Sequence, residues 1–453
     1  MTPHSLRMDV EATDAGSQSI LSRARESVAG GESSTMRVLP YHLPLVIDRA
    51  EGPYIWDVDG NRLIDLNMAY GPLIFGHRHP IILDAVRQEL DDRGTILGFP
   101  HRLSHQVAEL IKKSVPSIDK VRFSSSGTEV VQTAIRLARA FTGRPKIVLF
   151  EGHYSGSSDA VFHKYHASLD ELEHAGSLPL PGTAGMLAPQ RAHLLPWNDA
   201  DAVRAYLAEH GHETAALIME PVMGNAGVIP PEDGYLAAVR EATRRSGTLL
   251  IFDEIITGFR VARGGAQERF GVASDLTTLS KAMNGGMPVS VVGGRADIME
   301  LLVEGTVFHG GVYSGNPLGL AGALALQTEY ERNGTAIYRA LEESANRLAS
   351  GLRELFRRRG VPVLVQHVGA MLSLAFTRRG GVDRVRNYRE LLGVAWSERY
   401  IAFQHASQRR GVYFHPNQFE PWYVSIAHTP DVIDEILERL DGAAEAFDWS
   451  GAS

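Results

Sequence analysis

Short apolar runs alternate with amphipathic stretches through the middle of the chain, from about residue 120 to residue 282. Each run is rich in β-branched residues and is bounded by a turn; in chain order they are VRFSS, KIVLF, AALIM, TLLIFDE and DLTTLS. The stretches between them carry apolar positions at helical spacing. Strands joined by helices predict crossover connections, so we expect an α/β fold with a mostly parallel central sheet flanked by helices.

The pattern on either side of this region is different. On the N-terminal side, short strands surround a hairpin signal at Asp59-Gly60. They are followed by a predicted helix with one buried face, formed by Ile81, Ala85, Val86 and Leu90. Beyond Pro317 we expect two successive helices separated near Gly334, and then further alternation of strand and helix. The span 165–196 lacks a period, which predicts a long loop that is a candidate lid or interface arm.

These patterns divide the chain into four parts. We expect a flexible leader (1–20), an N-terminal segment (21–70), a large domain (71–317) and a C-terminal region (318–453). The N-terminal segment and the C-terminal region together are expected to form a small α+β domain.

Composition mainly excludes classes of function. The 453 residues carry a net charge of −8 without a dense run of lysine and arginine, so we expect no nucleic-acid partner. The absence of cysteine removes disulfides and thiolate metal sites. We find no signal peptide and no apolar stretch near the roughly 20 residues of a membrane helix. A cytoplasmic protein without membrane attachment is therefore expected.

Four residues whose side chains could take part in catalysis or binding follow or end predicted strands: Tyr154, Glu220, Asp253 and Lys281. Strand ends of an open parallel sheet line its binding crevice. Taken singly, each has an ordinary alternative, such as a solvated lysine, a helix-capping aspartate or a core tyrosine. Their coincidence favours a shared site. A lysine amine beside a carboxylate is what a pyridoxal phosphate enzyme requires, the amine for the aldehyde and the acid for the ring nitrogen.

A second feature is the turn SSSGTE at the start of a predicted helix. Free backbone N–H groups and the hydroxyls of Ser126 and Thr128 would suit a phosphate there, although an ordinary helix cap is the alternative. Four histidines, at positions 101, 105, 163 and 166, could suggest a metal. No HExxH spacing or well-placed carboxylate accompanies them, so we expect no metal.

The chain resembles the class III, fold-type I pyridoxal phosphate-dependent aminotransferases, and among them the glutamate-1-semialdehyde 2,1-aminomutases. The resemblance runs from about Gly30 to His428, and its motifs include GPLIFGHRHP, SSGTE, FEGHYSG, EPVMGN, FDEIITGFR, SDLTTLSKAMNGGMPV and SGNPL. It implies pyridoxal 5'-phosphate (PLP) as cofactor. Lys281 would bind the cofactor covalently and move the proton, while Asp253 would keep the ring nitrogen protonated.

The resemblance also implies roles for the other candidate residues. It places the phosphate on Ser126, Gly127 and Thr128, and the two ring faces against Tyr154 and Ile255. Glu220 and Asn225 match polar positions that line the cofactor site. Arg37 matches an arginine that pairs with the substrate carboxylate, a bidentate contact suited to guanidinium.

The chain departs from the family pattern at several positions. Val312 stands where a threonine of the neighbouring subunit reaches the phosphate, and Ser155 stands where a histidine is usual. The span 165–196 also differs, and a lid governs how long an intermediate stays enclosed. These departures bear on the aminomutase activity in particular.

The expected function is a PLP-dependent aminotransferase with a ping-pong mechanism, acting on a small carboxylate-bearing amino or oxo compound. Its partners would be an amino donor and an oxo acceptor, in a homodimer with shared active sites. One alternative is an intramolecular amino shift of the glutamate-1-semialdehyde type. A more remote alternative is a non-catalytic PLP-binding regulator.

Overall fold

The computed structural model describes residues 13–186, 191–445 and 449. Its α-helices are α1 (Ala15–Ala24), α2 (Pro80–Arg93), α3 (Arg102–Ser114), α4 (Gly127–Thr142), α5 (Leu169–Ala175), α6 (Ala200–His210), α7 (Tyr235–Ser246), α8 (Gly265–Phe270), α9 (Ala296–Val303), α10 (Pro317–Arg358), α11 (Tyr388–Val394), α12 (Ser397–Arg409) and α13 (Pro430–Glu445). Single 3₁₀ turns cover Ala29–Gly31, Thr35–Arg37, Met68–Tyr70, Gly211–Glu213 and Lys281–Met283.

The strands fall into one large sheet and two small ones. They are β1 (Ile47–Glu51), β2 (Tyr54–Asp57), β3 (Arg62–Asp65), β4 (Lys120–Ser124), β5 (Lys146–Phe150), β6 (Ala192–Leu195), β7 (Thr214–Met219), β8 (Leu249–Glu254), β9 (Leu276–Leu279), β10 (Ser290–Gly294), β11 (Val363–Val368), β12 (Met371–Phe376), β13 (Val412–Tyr413) and β14 (Trp422–Tyr423).

The large sheet has the order β4-β10-β9-β8-β7-β5-β6. Its strands β9, β8, β7, β5 and β6 are mutually parallel, whereas β10 is antiparallel to both of its neighbours. Every residue of β7 and β8 is buried, as expected when helices cover both faces of a parallel sheet. The expected α/β fold with a mostly parallel central sheet is thereby confirmed.

One of the two small sheets joins strands from both ends of the chain. Strands β1, β2 and β3 form an antiparallel meander, and β13 adds to it parallel to β3, with Val412 opposite Ile64. Strands β11, β12 and β14 form the third sheet. The expected α+β unit therefore draws strands from both the N-terminal segment and the C-terminal region.

Several local predictions differ from the structure. One continuous helix, α10, replaces the two expected helices and runs through Gly334. On α2 the buried side chains include Ile82 and Glu89, while Leu90 is 46% exposed, so the predicted buried face was wrong there. The span 165–196 contains α5 and the edge strand β6, so it is not a continuous loop. Residues 187–190 of that span, and residues 1–12 of the predicted leader, lie outside the described residues.

A buried arginine ties three parts of the chain together. Arg260 follows β8, and its guanidinium donates to the carbonyl oxygens of Gly71, Ala370 and Val424. No carboxylate pairs with Arg260 among the described residues, so these carbonyls are the acceptors of the buried cation, and its Nε–H has no hydrogen-bond partner there. No helix in the described part of the chain is long and apolar enough to cross a membrane.

Candidate active site

A cavity of about 220 Å³ opens where the carboxyl ends of β8 and β9 meet the N-terminus of α4. Its lining contains every predicted site residue except Arg37: Ser126, Gly127, Thr128, Tyr154, Glu220, Asn225, Asp253, Ile255 and Lys281. The parallel register explains the convergence, because adjacent parallel strands deliver their end residues to one edge. This edge of the sheet is the candidate active site.

Lys281 follows β9 in a strained backbone conformation. Its φ is 45°, in the left-handed region that a side chain with a Cβ rarely adopts, and such strain collects at functional sites. Burial lowers the pKa of the Lys281 amine, while the carboxylates of Glu420, Glu220 and Asp253 oppose that shift. A lowered pKa makes the neutral, nucleophilic amine more accessible near neutral pH.

Asp253 is the next-to-last residue of β8 and lies directly opposite Thr278 of β9. Its Oδ1 accepts hydrogen bonds from the Thr278 hydroxyl at 3.1 Å and from the backbone N–H of Ile255 at 3.2 Å. Burial raises the pKa of the Asp253 carboxyl, and these donors together with Ser155 and Lys281 lower it again. The carboxylate is thus fixed in direction at the floor of the cavity.

The N-terminus of α4 supplies anion-binding groups. Ser126 caps the helix in a capping box with Glu129, whose carboxylate accepts the N–H groups of Ser125 and Ser126 at 2.9 and 2.8 Å. In the described part of the chain, the N–H groups of Gly127 and Thr128 have no protein acceptor. Two free amides at the positive end of a sixteen-residue helix suit a phosphate.

The sides of the cavity are apolar and aromatic. Tyr154 follows β5, is 36% exposed, and donates its backbone N–H to Glu220 Oε1 at 2.8 Å. Ile255 packs so closely on the phosphate turn that a Cβ at Gly127 would lie 3.2 Å from its Cδ1. Both side chains line the cavity, so a flat ring could lie between protein surfaces there.

Glu220 is a second buried carboxylate at this edge. Its Oε2 accepts the backbone N–H of Gly224 at 2.9 Å and the side-chain amide of Asn225 at 3.2 Å. Burial raises the pKa of Glu220 to about 7, and the nearby Asp253 carboxylate acts in the same direction. Glu220 therefore orders the loop that carries Asn225 into the cavity.

Arg37 lies apart from the cavity lining. Its guanidinium forms an exposed ion pair with Glu32 at 2.9 Å, at the end of a 3₁₀ turn. The adjacent Met36 carbonyl accepts the Tyr70 hydroxyl at 3.3 Å, and the charges of Arg37 and Glu420 both act on Tyr70. Arg37 is therefore near the mouth of the site, beyond Tyr70.

The sequence patterns did not single out Glu420, which the structure brings to Lys281. Glu420 is buried, and no protein group in the described ranges donates a hydrogen bond to its carboxyl. Burial raises its pKa to about 7, and the Lys281 charge opposes the rise. The only available signal is a carboxylate just before the apolar run that forms β14. That signal does not show which site the carboxylate joins.

Comparisons with known proteins agree with this geometry. The profile of the class III aminotransferases matches residues 36–441. An omega-transaminase from Sphaerobacter thermophilus is 31% identical, with a TM-score of 0.86 over 95% of this chain and 97% of that one. A beta-phenylalanine aminotransferase from Variovorax paradoxus is 31% identical, with a TM-score of 0.82 over 94% and 93%. A glutamate-1-semialdehyde aminomutase from Pseudomonas aeruginosa PAO1 is 26% identical, with a TM-score of 0.83 over 95% and 94%.

The cofactor of these enzymes is pyridoxal phosphate, which is bound in a solved transaminase of the same fold. The groups of the cavity fit it: free amides for a phosphate, a buried carboxylate for a ring nitrogen, and a lysine with a lowered pKa for an aldehyde. The protein is thus a PLP-dependent enzyme that takes an amino donor and an oxo acceptor. The chain belongs to the class III aminotransferase family.

Proposed function

We propose that this aminotransferase transfers the amino group of a small carboxylate-bearing amino compound to an oxo acceptor by a ping-pong mechanism, at the cavity around Lys281. One observation carries the proposal. The Lys281 amine, with its pKa lowered by burial, shares one cavity with the Asp253 carboxylate and the free amides of α4. These three groups match the aldehyde, the ring nitrogen and the phosphate of the cofactor, respectively.

The proposed holding residues follow from this match. The Gly127 and Thr128 amides and the Thr128 hydroxyl would hold the phosphate, joined by the Ser126 hydroxyl if it turns from the Glu129 carboxylate to which it donates at 3.0 Å. Asp253 would face the ring nitrogen. Tyr154 and Ile255 would cover the ring, with Glu220 and Asn225 at its polar edge. When bound, the cofactor supplies an aldehyde for amines and an electron-withdrawing ring that eases loss of a proton from the adjacent carbon.

Lys281 is the proposed proton carrier. Because burial lowers the pKa of its amine, Lys281 can accept a proton near neutral pH and return it at the neighbouring atom. The Glu420 carboxyl lies close enough to stabilise the protonated lysine. Burial of the site also keeps water from competing for that proton.

The test of Lys281 is Lys281→Ala. Turnover should fall by at least about 10³-fold, because the nucleophile and the proton carrier are removed together. Cofactor should still bind through the turn at the start of α4. The protein is saturated with PLP and the free cofactor is then dialysed away; the visible absorbance that remains reports bound PLP. The control is Lys112→Ala, which removes an exposed ion pair with Glu109 and should leave turnover unchanged. A Lys281→Ala protein with full turnover would overturn the proposal.

Arg37 is the proposed partner of the substrate carboxylate. The relative that acts on beta-phenylalanine, an amino carboxylate, supports this substrate class. Arg37→Ala should raise KM for carboxylated donors by about 10- to 100-fold and leave uncharged amines unaffected. Arg87→Ala, which breaks an exposed ion pair with Asp84, is the control. Equal losses for both donor classes would show that Arg37 does not recognise the carboxylate.

An intramolecular amino shift is the second candidate, favoured by the solved aminomutase among the relatives. The two activities separate when enzyme in its amino form meets an amino aldehyde without added oxo acid. An aminomutase would make isomerised product over many turnovers. An aminotransferase would stop after forming about one molecule of product per active site.

We also propose a homodimer, supported by apolar side chains left exposed beside the site. Phe308, Val312 and Phe99 are 80%, 65% and 75% exposed, and an apolar cavity of about 390 Å³ lies between Ser125 and Tyr313. Phe308→Asp should yield monomers in sedimentation analysis and lose activity with the dimer. A wild-type monomer with full activity would refute the assembly.

The division into a large domain (71–317) and a small domain from both ends stays a proposal, supported by the pairing of β13 with β3. A cytoplasmic location is likewise proposed, on the lack of cysteine.

A further inference from the structure

Thr278 is a buried threonine whose hydroxyl serves the Asp253 carboxylate. It lies on β9 opposite Asp253 of β8 and is fully buried. Its hydroxyl donates to Asp253 Oδ1 at 3.1 Å and has no other partner among the described side chains. A buried hydroxyl with a single carboxylate partner fixes the orientation of that carboxylate, because breaking the hydrogen bond would leave two buried polar groups unpaired.

Ser155 is the second hydroxyl at this carboxylate. It is buried and lines the same cavity as Asp253, and its hydroxyl acts to lower the pKa of that carboxyl. A hydroxyl at this position stabilises a carboxylate only as a neutral donor, since it cannot take up a positive charge as an imidazole can.

We infer that Thr278 and Ser155 are positioning residues that orient the Asp253 carboxylate and keep it ionised for the ring nitrogen of the cofactor. The inference rests on the proposed role of Asp253. Neither residue needs to touch the reacting atoms. Both act on the cofactor through the carboxylate that they hold.

The electrostatics of the site explain why two donors are needed. Burial raises the pKa of Asp253, and the Asp253 charge in turn raises the pKa of Glu220 at the same edge. Lys281 opposes the effect of burial, and Tyr154, whose own pKa the Asp253 charge raises, also faces the carboxylate. Hydrogen bonds to the charged form favour that form, so each lost hydroxyl should raise the pH at which Asp253 becomes protonated.

The experiment measures PLP affinity of the cofactor-free protein by equilibrium dialysis, from pH 9 down to the lowest pH at which the protein stays folded, for Thr278→Val and Ser155→Ala. Wild-type affinity falls where Asp253 becomes protonated. In each variant this fall should move to higher pH by about one unit, equivalent to about tenfold weaker binding at the acidic end. Thr278→Ser, which keeps the hydroxyl, should restore the wild-type curve.

Thr277→Val is the matched control. Thr277 is the preceding residue, also fully buried, but its hydroxyl contacts Gln267 and Ser274 on the other face of the sheet. It should lower the melting temperature without moving the pH curve. If Thr277→Val moves the curve as far as Thr278→Val does, general loosening of the strand explains the effect and the inference is overturned.

Two further outcomes separate this inference from the proposed function. If Asp253→Asn binds PLP as wild type does at every pH, the proposed role of Asp253 fails. If Asp253→Asn loses affinity while Thr278→Val and Ser155→Ala follow the wild-type curve, only the present inference fails. Should Thr278→Val not fold, the Ser155→Ala curve decides alone.

Discussion

Glu420 and Lys281 form the pair of residues whose charges depend most on each other in this site. Glu420 raises the pKa of Lys281, and Lys281 lowers that of Glu420. The strand-end residues Asp253 and Lys281 could be predicted from sequence, because each directly follows an apolar run. Glu420 could not, because its partner lies in a distant element and only the folded chain shows their proximity.

We predict that Glu420→Gln stabilises the cofactor-free protein at pH 8 but not near pH 4.5. The folded-state pKa of Glu420, about 7, lies above its ordinary 4.5, so the folded protein binds the proton more tightly. Stability from this group is therefore fully present below pH 4.5 and is lost as the pH rises through 7. Glutamine removes that loss, about 3 kcal/mol at pH 8.

Melting temperatures of the cofactor-free proteins at both pH values check this prediction. Glu241→Gln, which breaks an exposed ion pair with Arg245, is the control and should change little at either pH. An equal gain for Glu420→Gln at both pH values would contradict the assigned ionisation.

At the scale of elements, α10 is the largest difference between expectation and structure. Local pattern predicts a break at Gly334, because glycine inside a helix costs up to about 1 kcal/mol relative to alanine. The helix continues because long-range packing outweighs that cost: buried residues such as Leu326, Ile337 and Leu348 lie on both sides of the glycine. Sequence patterns located the strands of the sheet better, since each is a local apolar run.

Gly334→Ala should raise the stability of the protein by about 0.5–1 kcal/mol. An added Cβ would lie 3.8 Å from Arg263 Cδ, which is an ordinary contact. Alanine also reduces the backbone conformational entropy of the unfolded chain, which favours the folded state. Gly322→Ala on the same helix is the counterpart and should destabilise, because its Cβ would lie 2.9 Å from Met287 Cγ. Melting temperatures moving in the same direction would argue against this account.

At the scale of the whole molecule, the β3–β13 pairing joins the N-terminal and C-terminal parts of the chain, and Arg260 ties both parts to the segment that follows β8 of the large sheet. Arg260 joins Gly71, Ala370 and Val424, which come from three separate parts of the chain. Sequence alone placed Arg260 in a motif without a role, since its acceptors are backbone carbonyls that carry no sequence signal. The α/β class, in contrast, followed from periodicity alone.

Arg260→Met should destabilise the protein by about 2–4 kcal/mol, because the buried carbonyls of Gly71 and Val424 would lose this donor, whereas that of Ala370 keeps the Val424 N–H. Methionine keeps the apolar volume, so a smaller loss would mean that water or a rearranged donor replaces the guanidinium. The comparison is Arg245→Met, whose exposed pair with Glu241 should contribute less than about 1 kcal/mol. Chemical denaturation of both variants provides the measurement.

The Glu129 carboxylate at the start of α4 affects the structure of the cofactor-free protein. Because the Glu129 carboxylate accepts the N–H groups of Ser125 and Ser126, the turn before α4 is held in place without a phosphate, while the Gly127 and Thr128 amides stay free for one. The phosphate-binding turn is therefore already formed in the cofactor-free protein, and cofactor binding orders little of the chain. Binding of the cofactor should therefore require no refolding of this turn.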